Sequence, residues 1–194
     1  MRTLSVVVAA CVGTAVACCG PVQAAPTGLG LGAHGGYGQS VDAESGSPVA
    51  GVHAVLNPAT WLGVVASVDY KFEEDCSVEE SEYSVESYPL TLMARVYFPT
   101  ETFSPYLAAG VQYRIIKYGG DLFDDVELDD SENAFGWVAG AGAVVNPSDS
   151  YEVFGEVLYE LNDPERDLGE AVEDAGDFKY DQWSVRAGFT FFLN

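Results

Sequence analysis

Eight stretches of this chain alternate apolar with small or polar residues at a period of two, the repeat of a strand whose successive side chains point to opposite faces. The first, near Gly28 to Gly38, puts Leu29, Leu31, Ala33 and Tyr37 on one face and His34 among glycines on the other. The second, near Val49 to Leu56, sets Ala50, Val52, Ala54 and Leu56 against Gly51 and His53. In the third, Trp61 to Phe72, Leu62, Val64, Ala66, Val68, Tyr70 and Phe72 oppose Ser67, Asp69 and Lys71. The fourth, Ser87 to Phe98, sets Tyr88, Leu90, Leu92, Ala94, Val96 and Phe98 against Thr91, Met93, Arg95 and Tyr97. Leu107, Ala109, Val111, Tyr113 and Ile115 oppose Gln112 and Arg114 in the fifth. The sixth, Phe135 to Val145, alternates Phe135, Trp137, Ala139, Ala141, Ala143 and Val145 with Gly136, Gly140 and Gly142. The eighth, Gln182 to Phe192, sets Trp183, Val185, Ala187, Phe189 and Phe191 against Gln182, Ser184, Arg186 and Thr190.

The seventh stretch, Tyr151 to Leu161, fits two structures when read alone. Glu152, Glu156 and Glu160 recur every four residues, and Asp149 with Glu152 has capping-box spacing, so an amphipathic helix satisfies it. As a strand it shows a charge-free face of Tyr151, Val153, Gly155, Val157, Tyr159 and Leu161, with the glutamates opposite. Seven companion stretches with a charge-free parity select the strand.

Charge then separates two β architectures. A soluble sandwich carries many charges on its outward parity. Here the apolar parity has none, and the other parity holds Asp69, Glu152, Glu156 and Glu160 against Lys71, Arg95, Arg114 and Arg186. Four acids facing four bases suit an enclosed polar interior, where unpaired charge is costly. The pattern predicts an all-β fold: an eight-stranded antiparallel up-and-down transmembrane β-barrel, with an interior charge network of Asp69, Arg95, Arg114, Glu152, Glu156, Glu160 and Arg186. Glu156 and Arg186 are expected at similar height on adjacent strands as partners, with Arg95 and Arg114 available across the lumen.

The connections alternate too. Those after the second, fourth and sixth stretches are short, with turn signals at Asn57-Pro58 and Asn146-Pro147. Those after the first, third, fifth and seventh read as four long loops that carry 24 of the 30 acidic residues. That asymmetry is the one expected of an outer-membrane barrel whose long loops are extracellular. Tyr70, Phe72, Tyr88, Phe98, Trp137, Tyr151, Tyr159 and Trp183 lie near segment ends, where aromatic girdles belong.

Residues 1–24 read as a secretory signal peptide: Arg2, an apolar run to Cys19, and a small-residue site ending at Ala24. Ala15-Val16-Ala17 before Cys18 loosely resembles a lipobox, without its preferred leucine. Residues 25–194 then form one barrel domain, in which Cys76 is the single cysteine, so no intramolecular disulfide framework forms. The domain has 30 acidic residues against 7 basic ones, a net charge of −23, which disfavours nucleic acid as a partner. No segment of it approaches the 18 consecutive apolar residues of a spanning helix.

FSPYLAAGVQY, FGWVAGAGAVVNPSDSYEVFGEVLYE and WSVRAGFTFFL resemble the small outer-membrane β-barrel family that includes OmpA-like, OmpX-like and opacity-type proteins. The resemblance covers nearly all of residues 27–194. It implies insertion into the outer membrane of a Gram-negative-type bacterium by the barrel assembly machinery, which reads an aromatic C-terminal strand. Here Phe192 is followed by Leu193 and Asn194.

Chemistry is sparse. His34 and His53 face inward with Ser67 and Asp69, but the His-x-Ser-Asn sequence of lipid A deacylase barrels is absent, so an interior histidine pair is expected and no enzyme. Asp125, Glu127 and Asp129 alternate as the first ligands of a calcium loop would, yet Asp130 replaces the required glycine and no twelfth-position Glu follows. Loosely bound divalent cations, shared between acidic loops and lipopolysaccharide phosphates, are expected in place of a specific metal or cofactor. The resulting expectation is a monomeric barrel with a structural or surface-interaction role toward an unknown extracellular ligand. A narrow cation-preferring pore is the alternative, and lipid modification a distant third.

Overall fold

The computed structural model describes residues 26–41, 45–78, 81–98, 100, 103–119, 131–148, 150–163 and 181–193. The strands are β1 Gly28–Ser40, β2 Ser47–Ala59, β3 Leu62–Val78, β4 Ser81–Tyr97, β5 Ser104–Gly119, β6 Ser131–Ser148, β7 Tyr151–Asp163 and β8 Gln182–Leu193. Each pairs antiparallel with its sequence neighbours, and β1 closes on β8 from Leu29↔Leu193 to Ser40↔Gln182, so the sheet is a closed barrel. Closure removes every open edge and satisfies every ladder hydrogen bond internally, which is what lipid demands of a spanning sheet.

Alternation sorts the side chains as the charge-free parity predicts. Leu31, Val52, Val68, Leu92, Leu107, Trp137, Val157 and Phe189 are exposed on the outer wall, while their chain neighbours turn inward and are buried, apart from the half-buried glycines Gly32, Gly51 and Gly188. The seventh stretch is strand throughout, with Glu152, Glu156 and Glu160 inside. Among the described residues one position departs from the pattern. Val145 is buried, because the β6–β7 register shifts between Val145 and Ser148 and ends the strict alternation just before the turn.

Aromatic rings cluster at the wall's margins. Tyr70 packs edge-on against Phe72 and beside Tyr88, and both tyrosine hydroxyls reach Glu86. Tyr37 meets Trp183 on the same end of the barrel.

The connections correct the expectation of four long loops. One end of the barrel carries short turns at 60–61, 98–103 and 149–150. At the opposite end β1 and β2 are joined by only 41–46, and the acidic run Glu73 to Glu86 is mostly strand, with β3 and β4 separated only by 79–80. A strand of 17 residues tilted ~40° rises about 40 Å, well beyond the ~25 Å apolar band, so this hairpin projects into water. The longer connections, 120–130 and 164–180, lie outside the described residues, as do Asp125, Glu127 and Asp129 and the segment 1–24.

The lumen is the core. Toward the short-turn end it is mainly apolar, with Val55, Val65, Met93, Tyr97, Tyr106, Ala108, Val138, Val144, Phe154 and Leu158 in one cluster. Glycines let these side chains in: a Cβ at Gly142 would collide with the Tyr106 ring, and one at Gly32 with the His53 imidazole. Space that inward glycines open is therefore filled by neighbouring rings.

Candidate functional site

Inward parity brings the charged residues of β3, β4, β5, β7 and β8 into one lumen, which eight strands make just wide enough to fill with side chains. Arg95 and Arg186 are among the largest fully buried side chains, and Glu152 and Glu160 are fully buried with them. Such charges persist in a low-dielectric interior only when paired and hydrogen-bonded.

Glu160 is the centre of the first cluster. It receives Arg186 Nη2 at 3.0 Å on Oε1 and Arg114 Nη2 on Oε2, with the Ser184 hydroxyl at 3.5 Å. Arg114 also donates to Gln112, which donates to Thr91. Arg186 Nη1 reaches across to Asp69 Oδ2 at 3.3 Å. Above this cluster Lys71 donates to Ser40 and to Gln182.

The second cluster is built on Arg95. Its Nη2 donates to Glu156 at 2.9 Å, and its Nη1 lies 4.0 Å from Glu152. Tyr106 donates its hydroxyl to the same Glu156 oxygen at 2.8 Å. The guanidinium sits 4.7 Å from the Tyr106 ring centroid and 4.8 Å from that of Phe154, so the cation is held between aromatic faces as well as by carboxylates.

The expected Glu156–Arg186 partnership is corrected by this geometry. The two Cα atoms are indeed opposite in register. However, long side chains in a narrow barrel reach across the lumen as easily as along the sheet, and Arg186 turns to Asp69 and Glu160 while Glu156 turns to Arg95. Register fixed the height, and cross-lumen packing chose the partner.

His34 and His53 lie between the clusters, with Nδ1 atoms 3.0 Å apart and ring centroids 5.2 Å apart. His34 Nε2 contacts Asp69, which also accepts the Ser67 hydroxyl at 3.0 Å. This is not the order of a nucleophilic triad, because both Ser67 and His34 address the carboxylate, and the imidazole does not receive the serine proton. His53 Nε2 contacts Thr190. Phe154 packs edge-on against His53 at 5.3 Å. Among the described residues no group of three or more His, Cys, Asp and Glu converges as a metal site.

Tyr106, Thr190 and Phe154 are network members that the charge pattern did not single out. Parity could have found them: Tyr106 precedes outward Leu107, Thr190 lies between outward Phe189 and Phe191, and Phe154 is flanked by outward Val153 and Gly155. No sequence signal tells which inward residues bond to one another.

Among solved structures the chain is similar to that of Neisserial surface protein A (NspA), at 12% identity and a TM-score of 0.53, covering 85% of this chain and 96% of that one. It is similar to the outer membrane protein OprG from Pseudomonas aeruginosa at 15% identity and a TM-score of 0.53, covering 87% and 97%. Ail, the attachment invasion locus protein of Yersinia pestis, in complex with the heparin analogue sucrose octasulfate, matches at 13% identity and a TM-score of 0.51, covering 84% and 95%. At such identities the likeness is one of fold. No curated protein matches the chain. The family model for the outer membrane protein beta-barrel domain matches residues 5–191, which is almost the whole chain. A closed eight-stranded barrel with an apolar wall and a polar lumen, matched by that model over nearly its full length, belongs to the outer membrane protein beta-barrel domain family.

Proposed function

We propose that this protein is a monomeric structural and surface-interaction barrel, working through the acidic segments at the end opposite the short turns. The family is one of outer-membrane barrels, which supports a location in the outer membrane of a Gram-negative-type bacterium. The observation that carries the proposal is the plug. Arg95, Arg114, Arg186, Asp69, Glu152, Glu156 and Glu160 are all buried and mutually paired, so the lumen is occupied by its own side chains. What remains for recognition is the projecting β3–β4 hairpin and the connections 120–130 and 164–180, which together hold most of the chain's acids. Such a surface is suited to bridging cations, and shared divalent ions would tie it to lipopolysaccharide phosphates. Insertion by the barrel assembly machinery belongs to the same reading, as do a signal peptide cleaved after Ala24 and the absence of enzymatic activity.

Planar-bilayer recording tests the plug directly: no discrete conductance steps are expected, and steps with cation preference would instead establish the pore. Binding to lipopolysaccharide vesicles with and without Mg²⁺ tests the surface role. Shortening 120–130, 164–180 and the hairpin tip one at a time is expected to weaken binding; unchanged binding after all three would refute a role for these segments.

A further inference from the structure

Five side chains from five strands stand in single file inside the barrel. Asp69 of β3 contacts Nε2 of His34 on β1; His34 Nδ1 lies 3.0 Å from Nδ1 of His53 on β2; His53 Nε2 lies 3.0 Å from Oγ1 of Thr190 on β8; and Thr190 Oγ1 lies 3.1 Å from Glu152 Oε1 on β7. All five are buried.

Each of these four contacts joins two electronegative atoms and needs one proton between them. With both carboxylates ionised and both imidazoles neutral, the file has only three: one on each imidazole and one on the threonine hydroxyl. Every arrangement of three protons leaves one contact as two facing lone pairs, in an interior where an unmade hydrogen bond is expensive. A fourth proton completes the file.

We propose that Asp69, His34, His53, Thr190 and Glu152 form a buried proton-binding relay that holds one proton more than their ordinary ionisation supplies. The proton resides between the imidazoles, on Glu152 or on Asp69, and moves among these places by concerted reversal of the hydrogen bonds. Each reversal passes one proton to the next heteroatom and leaves the count at four. When the proton is on Asp69, that carboxyl loses its charge and with it the attraction for Arg186. The relay thereby connects the Glu152 end of the lumen to the ion pairs of Glu160 and Arg114. The ionisable groups around it among the described residues are Arg95 and Tyr97 of β4, Tyr106 and Arg114 of β5, Glu156 and Glu160 of β7, and Arg186 of β8, with Lys71 beyond Asp69 on β3.

At the short-turn end of the file Glu152 Oε2 is buried without a hydrogen-bond partner among the described residues. The inference is independent of the surface role proposed above.

Nitrogen-15 imidazole and carbon-13 carboxyl NMR of the folded barrel in phospholipid bilayers at neutral pH counts these protons. The expected result is three protons on the four imidazole nitrogens, or two with Asp69 or Glu152 protonated. Two imidazole protons with both carboxylates ionised would overturn the proposal. Thr190→Val breaks the file and leaves Asp69, His34 and His53 with two contacts that two imidazole protons fill, so the extra proton is expected to be lost. Thr190→Ser keeps the hydroxyl and is expected to keep it. An extra proton retained in Thr190→Val would show that the file does not bind it as a unit.

Discussion

The two halves of this lumen are held by different forces. Toward the end opposite the short turns, Glu160 is shared by Arg114 and Arg186, and Asp69 by Arg186, Ser67 and His34, so directional charge contacts do the holding. Toward the short turns, Val55, Val65, Tyr97, Tyr106, Val144 and Phe154 form one apolar cluster, and the Arg95 guanidinium lies against the Tyr106 and Phe154 rings. The difference teaches where the fold tolerates change. An apolar cluster adjusts to substitutions of similar volume, whereas a buried ion loses its whole compensation when its one partner goes.

Substitutions break the comparison in order of size. Glu160→Ala removes a carboxylate from two arginines at once, leaving Arg186 with Asp69 and Arg114 with Gln112, and is expected to destabilise the barrel by about 4 kcal/mol, within the range for breaking a buried pair. Urea titration of the heat-modifiable gel shift in folded, refolded protein measures it. The loss should persist at high salt, because buried charges are poorly screened; strong salt dependence would place the pair in water. Phe154→Ala removes packing from the apolar half and one face of the Arg95 sandwich, for a loss of about 4 kcal/mol by the same titration. Glu156→Ala should follow at about 3 kcal/mol, because Arg95 loses its nearest carboxylate while Glu152 remains at 4.0 Å. Its companion variant sharpens the assignment. In an Arg95→Met background the cost of Glu156→Ala is expected to change, whereas an Arg186→Met background should leave it the same; the reverse would restore the adjacent-strand pairing. Val157→Ala on the outer wall is expected to shift stability by less than about 0.5 kcal/mol, since both side chains sit comfortably in lipid. A larger effect would mean that Val157 meets protein rather than acyl chains.

Legibility in the sequence differed along the same line. Val157 and Phe189 declare themselves lipid-facing by parity alone, and Glu156, ambiguous in isolation, is assigned to the lumen by seven other stretches that obey the same rule. The acidic run from Glu73 to Glu86 reads as loop from its charge, but charge is a signal of water and not of irregular backbone, and β3 and β4 continue pairing through it. Arg186 illustrates the other limit. Its height beside Glu156 was readable, but its contacts to Asp69 and Glu160 lie across the barrel and along β7, where no spacing rule reaches.

The sequence by itself determined the number of strands, the side of the wall on which each residue stands and the balance of charge inside, because a two-residue period and the exclusion of charge from lipid act locally on every strand. The tertiary structure alone decided which buried ion meets which, how inward glycines admit the Tyr106 and His53 rings, and that two histidines from neighbouring strands share a file with Asp69, Thr190 and Glu152. Those outcomes depend on barrel closure, which brings strands distant in the chain within a few ångströms across one narrow lumen.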